Sequence, residues 1–237
     1  MLTFLKNLRL QLFANTKFSA YLVYAVGEIF LIVIGILIAL QINNWNTERV
    51  NRKQEIKLYK HIKSQITEDL NELSEVIDFN NHFIRQFEKA NMYILANNIN
   101  AIDTLAYITM TLSQFSDFHS SANIYETLIN SGDIKLLKND SITNSIQKLE
   151  TTYEFINRLE DIHWELIITE VSPELRGVLN YTTFEILKPD RLYSVGLQNI
   201  FFECINLMKI KDKVYNQATD EVNTIIELIE NDLKDQT

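Results

Sequence analysis

The chain has 237 residues, a formal net charge of −9 and 46% hydrophobic content, room for one membrane-crossing segment and one medium-sized domain. The charge is uneven: residues 1–43 carry +2 (Lys6, Arg9 and Lys17 against Glu28), the collar from Glu48 to Lys63 adds +4, and everything after Lys63 stands at −15. An acidic body argues against a nucleic-acid groove, which needs a basic stripe for phosphate. The single cysteine, Cys204, excludes an internal disulfide and any multi-cysteine metal site, and in FFECINL it reads as a small apolar core residue.

In chain order, MLTFLKNLRLQLFA places Leu5, Leu8 and Leu12 on one helical face beside Phe4, with Lys6 and Arg9 away from it. A short basic amphipathic segment before an apolar run reads as a helix lying in the membrane interface over residues 1–19. The alternative is a charged leader that only orients insertion. The stretch from Ala20 to Ile42 has Glu28 as its only formal charge, and nothing polar interrupts Ile29 to Leu40. A helix rises about 1.5 Å per residue and the hydrocarbon core is about 30 Å thick, so residues 20–43 are long enough to cross. Tyr21 and Tyr24 at one end and Trp45 at the other suit the headgroup level as interfacial anchors.

Residues 44–237 are then expected to form a helical domain. Thr47 is a candidate N-cap, and Tyr59, Ile62, Ile66, Leu70, Leu73 and Ile77 recur at spacings of three and four. Phe83, Phe87, Ala90 and Ile94 repeat that spacing in a second helix closed by Asn97-Asn98. A third helix covers 101–116 with Leu105, Ile108 and Leu112 inward. Ser120 and Ser121 offer caps for a short helix through Leu128, which Gly132 can end in the left-handed conformation. Ile134, Leu136 and Leu137 form a run too short to classify. Asp140 or Ser141 caps a long helix buried through Ile142, Ile146, Leu149, Tyr153, Ile156 and Leu159. Pro173 and Pro189 bracket an irregular stretch over 170–195. The last helix carries Ile200, Cys204, Ala218, Val222, Ile225, Ile229 and Leu233. Five glycines, two prolines and no period of two point to an all-α fold, with an extramembrane antiparallel helical bundle following the span.

Glu28 is the most suggestive residue of the span. A carboxylate there costs about 2.5–3.5 kcal/mol near the bilayer centre, so it ordinarily has a partner or a purpose. Helical spacing sets Glu28, Leu31, Gly35 and Ala39 on one face, and Gly35 with Ala39 is a small-xxx-small pair that lets helices approach closely. That face is expected to pair with a second copy or with another membrane protein. The collar Arg49, Arg52, Lys53 and Lys57 lies where anionic lipid headgroups would be if that side is cytoplasmic. Glu160 and His163 match a Glu-x-x-His spacing of di-iron bundles, but His61, His82 and His119 bring no second copy, so the pair reads as surface residues of a bundle helix. The aromatic patch Phe115, Phe118, Ile124, Tyr125, Leu128, Phe201 and Phe202 reads as core. No phosphate loop, nucleophile elbow or zinc-protease helix is present, so neither catalysis nor a cofactor is expected.

Two blocks carry a resemblance. NTKFSAYLVYAVGEIFLIVIGILIALQINNWN (Asn15 to Asn46) resembles the opening of an uncharacterised family of single-pass membrane proteins common in Bacteroidota, catalogued as domain of unknown function 6090. IYETLINSGDIKLLKN (Ile124 to Asn139) is similar to a second block of that family. Gly-Glu at the start of a span followed by Gln-Ile-Asn-Asn-Trp-Asn is the specific part, although the family's opening is typically more basic than Lys6, Arg9 and Lys17. The resemblance implies an architecture and no chemistry.

The expectation is a single-pass protein of a bacterial inner membrane, with the lipid bilayer and a second copy or another membrane protein as partners. Three basic residues precede the span and six follow it, which favours a cytoplasmic domain. The acid-free tail before Glu28 favours the reverse, and a periplasmic domain is the reading adopted. The function expected is an interaction or scaffold component of the cell envelope. The alternative is a membrane-tethered sensory or regulatory module that binds a small ligand between its helices.

Overall fold

The structure is a computed structural model that describes residues 16–120 and 123–234. The expected interfacial segment lies outside the described residues except for 16–19, which already belong to the first helix. Helix α1 runs Thr16–Leu95 without interruption. The breaks expected at Thr47 and between Ile77 and Phe83 do not occur. No glycine or proline stands between Gly35 and Leu95, so nothing stops propagation once the helix has started. Thr47 is an interior residue whose hydroxyl donates to the Asn43 carbonyl at 3.0 Å.

The chain divides into two units at Glu55/Ile56. In the first, the described side chains from Tyr21 to Val50 are exposed apart from half-buried Ala25 and Ile34. Its apolar run is long enough to cross a membrane, and none of the run's described residues is buried.

The second unit begins with the rest of α1, which ends in a left-handed residue. Asn97 has φ 45°, its N–H reaches the Ile94 carbonyl, and the Asn98 N–H reaches the Tyr93 carbonyl, both at 3.0 Å. This is the paired Schellman closure, with asparagine in the place glycine usually takes. Then follow α2 (Ile102–Met110) with a 3₁₀ turn at each end, α3 (Ile124–Ser131), and a 3₁₀ turn over Asp133–Leu136. Gly132 ends α3 at φ 77° as expected. Helix α4 (Asp140–Leu166) is capped one residue earlier than expected, by Asn139, whose Oδ1 accepts from the Ser141 and Ile142 amides at 3.0 and 3.4 Å. A π turn over Ile167–Val171 leads to α5 (Ser172–Val178), with Pro173 in its first turn. A short antiparallel bridge pairs Leu179 with Ile186, and a 3₁₀ turn over Pro189–Tyr193 precedes α6 (Val195–Lys234).

Helix α6 runs against α1: Lys63 meets Glu230, Asn81 meets Asp212, and Lys209 meets Glu88. It also runs against α4, where Asn139 pairs with Asp232, Thr152 with Glu221, and Glu160 with Tyr215. Helices α1 and α4 therefore point the same way, which departs from the all-antiparallel expectation. Parallel neighbours need a long return connection, and residues 96–139 supply it. Leu105, Ile108 and Leu112 share a core with Ile84–Ile94, and then Phe118, Ile124, Leu128 and Leu137 share one with Tyr59–Val76, so the connection travels back along α1.

Those two cores are separate. One holds Tyr59 to Val76 of α1, Ile142 to Leu159 of α4 and Val214 to Ile229 of α6. The other holds Ile84 to Ile94, Ile167 to Leu179 and Leu197 to Met208. The turn of each helix that lies between them carries buried polar residues: Asn80 on α1, Glu160 and His163 on α4, Lys211 on α6. A polar layer thus bisects the apolar interior of the second unit.

Candidate functional site

The layer is built by the helical period itself. Buried positions on α4 follow Ile142, Ile146, Leu149, Tyr153, Ile156, Glu160, His163 and Ile167, alternating steps of four and three. On α6 they follow Met208, Lys211, Tyr215, Ala218 and Val222. Glu160, His163 and Lys211 are therefore core positions that happen to carry polar groups.

Their hydrogen bonds hold one piece of irregular backbone. The Lys211 ammonium, with no exposure at all, donates to the Ser116 carbonyl at 2.5 Å. Glu160 Oε1 accepts from the Phe118 amide at 2.9 Å and from the Tyr215 hydroxyl at 2.5 Å, with Lys211 Nζ 4.0 Å away. Since the Tyr215 proton is committed to Glu160, the 3.0 Å contact between Tyr215 and Ser116 has the serine hydroxyl as donor. One residue further on, the His119 amide donates to Glu72 of α1 at 2.8 Å. Segment 114–119 belongs to no helix and no ladder, and side chains from α1, α4 and α6 take up the Ser116 carbonyl and the Phe118 and His119 amides.

Electrostatics follow from burial. Desolvation pulls the Lys211 ammonium down to about 8, against the opposing pull of Glu160 and Asp117. Desolvation likewise raises Glu160, offset by the Tyr215 hydrogen bond and by Lys211. His163 is pushed down to about 3, first by burial and then by the neighbouring Lys211 charge, so its ring is neutral. Tyr215 is raised by burial and by the Glu160 charge. His163 has neither ring nitrogen paired, and Asn80, whose amide donates to the Met208 carbonyl at 2.7 Å, leaves Oδ1 unpaired. A buried polar atom left without a partner costs about 1–3 kcal/mol. Phe115 lies against both cationic and imidazole groups, its ring 5.7 Å from the His163 ring and 5.6 Å from Lys211 Nζ.

A second polar contact lies deeper in the first core, where the Tyr153 hydroxyl donates to Asp69 Oδ2 at 2.9 Å. At its edge Glu221 accepts from Thr152 at 2.8 Å and pairs with Lys148 at 3.2 Å.

The residues singled out in the sequence sit elsewhere. Glu28, Leu31, Gly35 and Ala39 are exposed on α1, and a Cβ on Gly35 would meet nothing within 4 Å. Tyr21, Tyr24, Trp45, Arg49, Lys53 and Lys57 are also exposed on α1. Arg52 is ion-paired with the buried carboxylate of Glu55, so this collar residue has a protein partner. Cys204 is buried, as expected, and burial pushes its thiol up to about 12. Of the aromatic patch, Phe118, Ile124, Leu128 and Phe201 are buried, Phe115 and Tyr125 half-buried, and Phe202 exposed.

The surface reading of Glu160 and His163 is wrong: both are buried. The signal that locates them was in the α4 stripe, since steps of four and three from Ile156 land on these two positions. Only the apolar identity stopped, not the period. Lys211 carried the same signal, three residues after Met208 and four before Tyr215 on the α6 stripe, whereas Ser116, which lies in no helix, had none. Among the described residues no group of three or more His, Cys, Asp and Glu is placed to hold a metal ion.

A family model described as a family of unknown function (DUF6090) matches residues 28–202. The match starts at Glu28, takes in the whole of Ile124 to Asn139, and ends inside α6 before Lys211. No curated protein and no solved structure matches the chain.

Proposed function

Because the chain belongs to this family of unknown function, which brings no activity with it, we propose from its own residues that it is a membrane-anchored interaction or scaffold protein of the cell envelope. The observation that carries the reading is the apolar run at the start of α1, of whose described residues none is buried. An exposed apolar surface of that length is stable in lipid and costly in water. In this reading Tyr21, Tyr24 and Trp45 mark the two headgroup levels, and Arg49, Lys53 and Lys57 follow just beyond the second of them. Glu28, Leu31, Gly35 and Ala39 form the face that meets a second copy or another span, and the helical domain stands on the periplasmic side of an inner membrane. The proposal includes no catalytic step.

The experiment is sedimentation of the full-length chain from lysed cells, followed by an alkaline carbonate wash of the membranes. The protein is expected to stay in the washed pellet. Recovery in the supernatant refutes membrane anchoring. A reporter active only in the periplasm, fused after Thr237, is expected to be active, and silence from a well-expressed fusion reverses the orientation.

A second reading, a membrane-tethered sensory module, is favoured by one observation: the polar layer that interrupts the core. A scaffold needs only a closed apolar interior, whereas a layer of ionisable groups gives the domain a place to respond. Titration of the purified chain with small polar metabolites, read by thermal shift, separates the two readings.

A further inference from the structure

The charge of the second unit is unevenly placed. Residues 85–110 carry Arg85 and Lys89 against Glu88 and Asp103, and residues 174–202 carry Arg176, Lys188 and Arg191 against Glu174, Glu185 and Asp190. Both stretches balance to zero, so the whole −15 that follows Lys63 falls on the remaining residues. The two balanced stretches border the second core, and the Tyr193 hydroxyl ties one to the other by donating to the Asn98 carbonyl at 2.9 Å. This charge-balanced end of the unit keeps large apolar side chains in water: Leu95 and Phe184 are each 68% exposed, Val195 is 70% exposed, and Ile99 and Leu187 are exposed as well. Phe184 is the least expected of them. Its φ of 58° is left-handed backbone, which glycine or asparagine adopts at lower cost than a bulky ring. The hairpin around it imposes that conformation. Asn180 Oδ1 accepts from the Thr182 and Thr183 amides at 3.0 and 3.2 Å, the Phe184 amide donates to the Asn180 carbonyl at 2.8 Å, and the Asn180 amide donates to the Glu185 carbonyl at 2.9 Å. A strained aromatic residue, rigidly held and left mostly in water, contributes little to its own fold, and strain of this kind gathers at contact sites.

We propose that a second copy of the chain docks on this end, in a two-fold contact anchored by Phe184. Charge selects the occupant. Two copies repel each other wherever their acidic surfaces meet, and the balanced end is where they approach without that penalty. A basic partner would instead be drawn to the acidic surfaces. A two-fold contact sets one patch against itself, and a centre rich in aromatic and apolar groups but free of net charge is what interface cores are made of. The inference concerns the second unit alone and stands or falls separately from membrane anchoring and from the span face.

The test is cysteine crosslinking of the full-length chain in native membranes with a short bismaleimide. The native Cys204 is buried, so only an introduced cysteine reports. Phe184→Cys and Val195→Cys are expected to give a dimer, whereas Thr151→Cys, exposed on α4 between Glu150 and Glu154, is expected to stay monomeric. Monomer at both 184 and 195 overturns the proposal, as does an equal yield at 151 or a product whose mass shows a different protein. A Gly35→Cys dimer beside monomer at 184 and 195 sinks this contact alone and leaves the span reading standing. Phe184→Gly supplies the second arm, because it removes the ring and the backbone strain together. In the Val195→Cys background it should lower the dimer yield at least tenfold while the thermal midpoint does not fall. An undiminished dimer in that variant would remove Phe184 as the anchor and overturn the proposal.

Discussion

His163 shows most directly how placement changes a side chain. In an unfolded chain its ring takes a proton near pH 6.5, whereas burial beside Lys211 delays protonation in the folded state to about 3. Between those values the unfolded state binds the proton and the folded state does not. Stability therefore falls as pH drops from 6.5 towards 3, by at most about 1.4 kcal/mol per pH unit from this residue. Chemical denaturation of wild type and His163→Phe across that range should show a shallower slope in the variant, and equal slopes would mean the ring is hydrated and free to titrate. Lys211 and Glu160 belong to a different class, since each compensates the other. Removing one partner of a buried pair costs about 3–5 kcal/mol, because the remaining charge stays in the core. Lys211→Met and Glu160→Gln should each reach that range in urea unfolding, and the double variant should cost clearly less than their sum. Additive losses would show that the two residues act independently. The Cys204 thiol, held at about 12 by burial, adds nothing reactive.

At the scale of elements, most starts and stops follow local chemistry. Gly132 at φ 77° ends α3 and Asn97 at φ 45° ends α1, both in the conformation that an ordinary side chain resists. Asn139 caps α4 with two amide hydrogen bonds. Replacing it with alanine should cost about 1 kcal/mol in thermal or urea unfolding, and an unchanged midpoint would mean the end of α4 frays without consequence. Asn97→Val should cost about 1–2 kcal/mol, whereas Asn97→Gly should be tolerated within a few tenths. The expected helix breaks at Thr47 and near residue 80 failed for one reason. Polar residues that favour caps do not end a helix unless the backbone is also given something better to do, and here Thr47 simply bonds back to Asn43.

For the molecule as a whole, the second unit places α6 between two parallel neighbours and divides its core with a polar layer. Polar groups at core positions of packed helices are known to fix register, and the Lys211–Glu160 level would lose its partners under a slip of one turn. In the first unit the apolar run is exposed along its length. If the face of Glu28, Leu31, Gly35 and Ala39 meets a second copy, a cysteine at Gly35 should form a disulfide-linked dimer in native membranes under mild oxidation, while one at Val33, on the opposite side of the helix, should not. Equal crosslinking at both positions, or monomer at both, would remove the assignment of that face.

Helix content, the α4 and α6 stripes, the end of α3 and the long apolar run were all legible in the residues, because they depend on spacing and on local backbone preference. The direction of α4 relative to α1 was not, since it depends on where a 44-residue connection (96–139) delivers the chain. The polar layer was half legible: the period marked Glu160 and His163 as inward, but their chemistry argued for the surface. What overruled that chemistry was tertiary. Ser116, Phe118, Tyr215 and Lys211 come together from segments up to 99 residues apart in sequence, and only their meeting supplies the acceptors and donors that let a charge lie in a core. Sequence alone determines which positions of a helix face inward; the fold determines whether a charged group at such a position finds company there.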